Sequence, residues 1–288
     1  MTYVLTDFYK NGFNYKEIWF LNNEIHKENE PAYLEWYQNG QIKIEIYYLY
    51  NEIHRENGPA LTTWYPNGQK HKEMWVLYNE NHRENEPSYL EWYQNGQIKI
   101  KMWYIDGEYH REDGPAIQEW NENGQKLLEY WYINGVIHRE DGPAYLEWYL
   151  NSQKYKEIWY KNDEHHREDG PAIQEWYQNG QIKIENYYLY NKIHRKDGPA
   201  IQIWNENGQN ILEKWYIDGV LHRENGPAII TYLENIKIIV KEWIKNDLLH
   251  RMDGPAIINI NTYTNDIISS KWFLYGEETE GYILKKVR

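Results

Sequence analysis

The chain has 288 residues, a formal net charge of −13 and no cysteine. The missing thiols exclude disulfides, zinc–thiolate sites and cysteine catalysis. The acidic balance argues against nucleic acid and anionic membrane surfaces as partners, because both attract clustered Lys and Arg. Neither a signal-like start nor a run of about 18 apolar residues is present, so we expect a cytoplasmic protein with no membrane insertion.

The chain begins with a half unit, residues 1–22, in which an Asn-Gly turn separates two runs rich in aromatic and β-branched residues. From residue 23 to residue 260 a 28-residue unit recurs without a linker. Residues 261–288 lose the rhythm and are predicted to be a C-terminal cap, because a terminal repeat has only one neighbour. We therefore predict a single repeat array over residues 1–288.

Each unit carries two turn signals, which in residues 116–143 are Asn123-Gly124 and Asn134-Gly135. The Asn-Gly pairs between the longer runs predict type I′ hairpin turns, since both residues tolerate positive φ. Each unit then supplies two strands, one before the second turn and one running from Ile-His-Arg to Glu-Trp-Tyr, bent at its proline. The prediction is an all-β fold, an elongated and twisted antiparallel meander of about twenty strands.

Tryptophans recur at two positions of the unit. The first column comprises Trp36, Trp64, Trp92, Trp120, Trp148, Trp176 and Trp204. The second column comprises Trp19, Trp75, Trp103, Trp131, Trp159, Trp215 and Trp243. Alternation along the strands places both columns on one sheet face, where we expect the rings to stack into a continuous core.

A histidine-centred motif, IHREDGPA in its form at residues 137–144, recurs once per unit. Its histidines are His26, His54, His82, His110, His138, His166, His194, His222 and His250. A catalytic constellation is needed once per active site, whereas a joint is needed once per structural unit. We therefore predict a structural polar ladder, in which His, Arg and Glu exchange hydrogen bonds with neighbouring turns and strands.

Catalytic and metal-binding alternatives are weaker. If each unit adds two strands, equivalent histidines lie about 9.6 Å apart, too far to share a zinc ion with bonds of about 2.0–2.1 Å. Calcium binding at the Glu-Asp-Gly turns lacks the EF-hand spacing. Glu112 and Asp113 could act as paired carboxylates, but nothing distinguishes one repeat as the acting one. No nucleotide-binding, metalloprotease or serine-hydrolase motif occurs, so we predict no catalytic residue, no cofactor and no metal.

The alternation of W-Y-x-[DN]-G and x-x-W-Y-x-N-G hairpins resembles MORN repeats over about residues 1–276. The longer unit with HREDGPA between hairpins is similar to a MORN-related repeat found in proteins of large DNA viruses of amoebae and of some phages. The resemblance implies an elongated sheet and a scaffold for proteins or membrane lipids, and it implies an antitoxin role in a bacterial branch. A viral protein would act in the host cell cytoplasm or in the virus particle.

Taken together, these features predict a non-enzymatic repeat scaffold that presents an extended surface for protein–protein interaction. The partner would be an unidentified protein, or a copy of the same chain bound through terminal strand edges. The alternative is an antitoxin-like or host-factor inhibitor that blocks an enzyme by occlusion. An enzyme with a carbohydrate-binding groove would need one repeat with extra acids opposite exposed tryptophans, and the sequence contains no such repeat.

Overall fold

The structure is a computed structural model that describes residues 1–280, so the last part of the predicted cap, residues 281–288, lies outside the described residues. The chain divides into two compact units, Met1–His138 and Arg139–Arg288. Within each unit, long strands follow one another as antiparallel neighbours. The predicted all-β meander of tandem hairpins is confirmed.

Long strands build the sheet of each unit. In the first unit they are Thr2–Phe8, Asn14–Leu21, Tyr33–Trp36, Ile42–Ile46, Leu61–Trp64, Lys70–Met74, Tyr89–Trp92, Ile98–Met102, Ile117–Trp120 and Lys126–Tyr130. In the second unit they are Tyr145–Trp148, Lys154–Ile158, Ile173–Trp176, Ile182–Asn186, Ile201–Trp204, Asn210–Lys214, Ile229–Leu233, Ile238–Glu242, Ile257–Asn261 and Ile267–Leu274. A 3-10 turn, Glu234–Ile236, replaces one hairpin loop.

Between successive long hairpins the chain forms a short hairpin around the second turn, which the sequence analysis did not resolve as separate strands. In the first unit the short strands are Glu24–Ile25, Tyr48–Leu49, Glu52–Ile53, Val76–Leu77, Glu80–Asn81, Tyr104–Ile105, Glu108–Tyr109, Tyr132–Ile133 and Val136–Ile137. In the second unit they are Tyr160–Lys161, Glu164–His165, Tyr188–Leu189, Lys192–Ile193, Tyr216–Ile217, Val220–Leu221, Ile244–Lys245, Leu248–Leu249 and Glu277–Thr279.

The Asn-Gly turns are not type I′, and that prediction is wrong. At Asn39-Gly40 only the glycine has a positive φ, of 83°. The Tyr37 N–H donates to the Gln41 carbonyl and the Gly40 N–H to the Tyr37 carbonyl, which closes a longer loop followed by a β-bulge. Type I′ geometry occurs instead at the second turn, where Asp106 and Gly107 have φ values of 48° and 77°.

The prediction of one strand running through His-Arg-Glu-Asp-Gly-Pro is also wrong. After the short strand Glu108–Tyr109 the chain leaves the sheet over residues 110–116 and re-enters it at Ile117–Trp120. Proline has no amide hydrogen for a ladder. In addition, Arg111 Nη1 donates to the Pro115 carbonyl at 3.3 Å, which folds the segment back on itself. We call each of these segments an HREDGP loop.

The most deeply buried position is the small residue that follows each Gly-Pro or Glu-Pro. It is fully buried throughout, at Ala32, Ala60, Ser88, Ala116, Ala144, Ala172, Ala200, Ala228 and Ala256. The Ala60 N–H donates to the Met74 carbonyl at 2.8 Å and the Ala60 carbonyl accepts from the Tyr47 N–H at 2.8 Å. A small side chain is required here because the backbone bridges two neighbouring strands.

The strand register divides the side chains between two faces. Leu34 pairs with Glu45, so the two share a face, and the tryptophan columns fall two residues further along each strand, at Trp36 and at the position of Tyr47. We call this the tryptophan face. The opposite face, here the tyrosine face, carries aromatic contacts such as that between the Tyr104 and Tyr109 rings, 4.3 Å apart.

Candidate interaction grooves

In the HREDGP loops named below, an arginine lies over the aromatic residue of the second column in its own repeat. The guanidinium carbon stands 3.9–4.0 Å from the ring centre in each of these pairs. The pairs are Arg55 on Tyr47, Arg83 on Trp75, Arg111 on Trp103, Arg167 on Trp159, Arg195 on Tyr187, Arg223 on Trp215 and Arg251 on Trp243. Cation–π contact therefore fixes the loop against the tryptophan face.

The same arginine also holds the loop closed through hydrogen bonds. In the loop around Arg111, Nε donates to Asp113 Oδ1 at 2.8 Å while Nη1 donates to the carbonyl of Pro115. The hydrogen bond from the guanidinium and its positive charge lower the pKa of Asp113, and they do the same for Asp169 beside Arg167. These aspartates are therefore ionised loop-closing groups and stay exposed to solvent.

The glycine of the loop lies close to the arginine. A Cβ at Gly114 would lie 2.8 Å from the guanidinium carbon of Arg111. In the repeat where Glu86 replaces the glycine, the preceding Asn85 adopts a φ of 61° and the Glu86 carboxylate pairs with Arg83. The sequence signal for the contact was the recurrence of Arg three residues before Gly.

The histidine column joins each repeat to the next one. The His54 N–H donates to the Tyr47 carbonyl, and its ring Nδ1 accepts from the N–H of Tyr78, the first residue of the next short-hairpin turn, at 3.3 Å. The same ring-to-turn bond is made by His26, His82, His110, His166, His194, His222 and His250. Each of these hydrogen bonds joins two residues that are 24 or 25 positions apart in the sequence.

Members of the first tryptophan column lie at the ends of long strands, where a tyrosine of the preceding repeat binds the backbone. The Tyr37 hydroxyl donates to the Trp64 carbonyl at 2.8 Å, and the Tyr65 hydroxyl donates to the Trp92 carbonyl at 2.9 Å. In the second column Trp103 is the most buried, with 8% of its surface exposed. The guanidinium of Arg111 lies over its ring, so the stacking at this position runs between arginine and indole.

Half-buried glutamates lie on the tryptophan face beneath the arginines. Burial raises the pKa of Glu45, Glu185 and Glu213, and nearby Arg55, Arg195 and Arg223 partly offset the effect. On the tyrosine face, burial likewise raises the pKa of Tyr48, Tyr160, Tyr188 and Tyr216. These pKa shifts occur at equivalent positions of several repeats, and their main cause is the packing of the side chains.

A groove opens between successive HREDGP loops. One lies between residues 83–85 and 110–113, with Trp103 and Ile105 on its floor, and has a volume of about 490 Å³. Grooves at the same repeat position have volumes of about 440 and 420 Å³, between the loops that start at His26 and His54 and between those that start at Arg167 and His194. Their rims carry exposed acids; Glu112 and Asp113 are 87% and 85% exposed. We call them the acidic grooves.

Over residues 1–280, no three His, Asp or Glu side chains come together as the ligands of a metal ion would. The same part of the chain contains no helix with the length and apolar character needed to cross a membrane. No protein-family model matches the sequence, and no curated protein is significantly similar to it. Fold and grooves together define a tandem hairpin-repeat protein with repeated, acid-rimmed grooves.

Proposed function

We propose that the protein is a non-enzymatic scaffold whose acidic grooves bind a protein partner. The observation that carries this proposal is the recurrence of one groove at the same repeat position in both units. An enzyme needs one repeat elaborated beyond the others, whereas a scaffold uses many equal contacts.

The chemistry of the grooves favours a basic, extended segment of the partner. The rim acids project into solvent, and the chain as a whole carries a formal charge of −13, so a Lys or Arg side chain entering a groove meets complementary charge. Two strands per repeat advance about 9.6 Å, and three residues of an extended peptide advance about 9.9 Å. A partner with a basic residue at every third position would match the groove spacing.

The proposal is tested with a synthetic peptide that carries Lys at every third position and a control peptide of the same composition with Lys in a single block. We expect the spaced peptide to bind more tightly, with an affinity that falls as salt is raised. Replacing Glu56, Glu84 and Glu112 by Gln should weaken binding about tenfold, since three exposed pairs contribute roughly 0.5 kcal/mol each.

The matched control is a second triple variant that removes three negative charges from the same repeats, but outside the grooves. Glu52, Glu80 and Glu108 lie on exposed short-hairpin strands, and their replacement by Gln should leave peptide affinity unchanged. Equal binding of both peptides, or equal effects of the two triple variants, would contradict the proposed surface. Turnover of a defined substrate by the pure protein would contradict the non-enzymatic assignment, and tight inhibition of a captured enzyme would favour the occlusion alternative.

A further inference from the structure

A row of tyrosines runs along the loop ends of the long hairpins, each one residue after a member of the first aromatic column. The hydroxyl of each of these tyrosines donates to the carbonyl of the first-column tryptophan in the next repeat, at 2.8–3.0 Å. The donors are Tyr9, Tyr37, Tyr65, Tyr93, Tyr149 and Tyr177. Each of these rings therefore spans the space between its own loop and the next repeat.

The row is interrupted at Asn205, whose side chain is turned to other partners. Its amide nitrogen donates to Gln209 Oε1 at 2.8 Å and to Glu234 Oε2 at 3.0 Å. A side-chain amide has two donor hydrogens, so none is left for the carbonyl of Tyr232. Tyr232 stands 28 residues after Trp204, whose carbonyl does accept a tyrosine hydroxyl.

The carbonyl of Tyr232 is placed to accept the same kind of hydrogen bond. The ladder between its hairpin and the preceding one ends at the Leu212–Thr231 pair, one residue before Tyr232. In the preceding repeat the ladder likewise ends one residue before Trp204, and the carbonyl of Trp204 accepts from the Tyr177 hydroxyl at 2.9 Å. The equivalent register leaves the Tyr232 carbonyl as an acceptor where a tyrosine hydroxyl would lie.

A pocket of about 210 Å³ opens at this interruption of the row, lined by Ile211 of one hairpin and Tyr232 of the next. Ile211 comes six positions after Asn205. Where the row has a tyrosine, the residue at that spacing contacts its ring, as Tyr155 contacts Tyr149 with ring centres 5.0 Å apart. The pocket therefore occupies the place of the missing ring.

The size and the lining of the pocket suit a single aromatic ring. Leu233 and Ile238 add apolar surface to that of Ile211, while the exposed Glu234 and Lys237 also line the pocket. Cavities of about 150 Å³ with apolar walls bind benzene, whereas drug-sized ligands need about 300 Å³ or more. Ile211 also replaces a charged residue found at this position in other repeats, at Lys43, Lys99 and Lys183.

We propose that this pocket binds a small phenol, with the ring over Ile211 and the hydroxyl donating to the carbonyl of Tyr232. A phenol keeps its proton at neutral pH, because it ionises only near about pH 10, as tyrosine does. None of the described residues that line this pocket also lines an acidic groove. The phenol site therefore goes beyond the proposed function and is tested separately from it.

Two ligands of nearly the same shape test the site on the full-length chain. The probe is p-cresol, which carries the ring and hydroxyl of tyrosine, and the control is toluene, which lacks only the hydroxyl. We expect p-cresol to shift the amide NMR signals of Ile211 and Tyr232, with a Kd on the order of 1 mM. Toluene should bind about tenfold more weakly, because it cannot donate a hydrogen bond. Equal binding of the two, or no shift at these residues, would overturn the proposal.

Substitutions test the location of the site. Asn205→Tyr restores the ring of the other repeats and should abolish p-cresol binding. Asn121→Tyr, the same replacement at another asparagine of this row, is the matched control and should leave the shifts at Ile211 and Tyr232 unchanged. Ile211→Lys is a second test variant and should weaken binding about tenfold or more, since it puts a charge against the ring. Undiminished binding by Asn205→Tyr or by Ile211→Lys would contradict the site.

A larger ligand distinguishes a free phenol from the tyrosine of a protein partner. N-acetyltyrosine amide has the same ring and hydroxyl but carries a peptide backbone, which a pocket of about 210 Å³ does not hold beside the ring. We expect it to bind at least about tenfold more weakly than p-cresol. Equal affinities would assign the pocket to a tyrosine side chain of a partner and contradict a small phenol as its ligand.

Discussion

The guanidinium carbon of Arg111 lies 4.0 Å from the centre of the Trp103 ring, and the same guanidinium donates to the carbonyl of Pro115. One side chain therefore fixes the HREDGP loop to the sheet and closes the loop on itself. Because the arrangement recurs in both units, the motif that resembles an active site in sequence is a structural clamp.

Removing the clamp should destabilise the protein. We expect Arg111→Ala to lower the free energy of unfolding by about 2 kcal/mol, through loss of the cation–π contact and of the hydrogen bond to Pro115. Arg111→Lys should lose less, since it keeps the charge. Asp113→Ala, which removes only the exposed carboxylate, should change stability by about 0.5 kcal/mol or less. Urea unfolding measures the loss of unfolding free energy in each of the three variants. A loss for Asp113→Ala equal to that for Arg111→Ala would refute the clamp.

The close approach of Gly114 to Arg111 predicts coupling between the two positions. Gly114→Ala should destabilise the native background, because its Cβ would meet the guanidinium at 2.8 Å. In the Arg111→Ala background the same change should cost little, since the obstructing group is gone. A double-mutant cycle on unfolding free energies measures the coupling, which we expect at about 1 kcal/mol. Additive effects would mean that backbone conformation, not the arginine, requires the glycine.

The small-residue column offers a stabilising substitution. Ser88 is fully buried and its hydroxyl has no hydrogen-bond partner among residues 1–280, whereas the other members of the column are alanines. Ser88→Ala should raise the free energy of unfolding by about 1 kcal/mol, by removing an unpaired buried hydroxyl. The reciprocal control, Ala60→Ser, should lower it by a similar amount. A destabilised Ser88→Ala protein would show that the hydroxyl has a partner.

The half-buried glutamates of the tryptophan face predict a pH dependence of stability. Burial raises the folded-state pKa of Glu45 above its ordinary value of 4.5, so the native state holds this proton more tightly than the unfolded chain does. The contribution is present below the ordinary pKa and is lost as pH rises through the raised one. Glu45→Gln should therefore stabilise the protein at about pH 7, and the gain should shrink towards about pH 4.

Glu52→Gln is the control for that experiment, because it removes the same charge from an exposed position of the same repeat. Thermal unfolding across the pH range should show no comparable gain for it. A gain for Glu45→Gln that does not diminish in acid would rule out burial of the carboxylate as its cause.

Period, hairpins and strand parity could be predicted from the sequence because each depends on local chemistry. Asn-Gly pairs and alternating aromatic residues report directly on turns and faces. The type I′ geometry of the second turn could not be predicted, because in one repeat it puts Tyr50 at a φ of 49°. That conformation is unfavourable for a bulky residue alone; here the Tyr50 ring stacks on His26 at 4.4 Å, a tertiary contact that offsets the strain.

The contacts that shape the acidic grooves were less accessible to sequence reasoning. The spacing of Arg and Trp in the motif is constant, but which ring each arginine covers depends on the short hairpin that brings Arg111 back over Trp103. The buried small-residue column likewise follows from backbone bonds between strands, as at Ala60, and composition alone does not indicate it.

Residue-resolved hydrogen exchange tests the repeat architecture most directly. We predict strong protection of amides that recur every 28 residues, among them Ala60, Ala200 and Ala228, whose N–H groups donate to strand carbonyls at 2.7–2.8 Å. Amides at the tips of the HREDGP loops, which lie between these protected positions in the sequence, should exchange rapidly with solvent. Protection confined to one contiguous block, or without the 28-residue period, would contradict a tandem hairpin array.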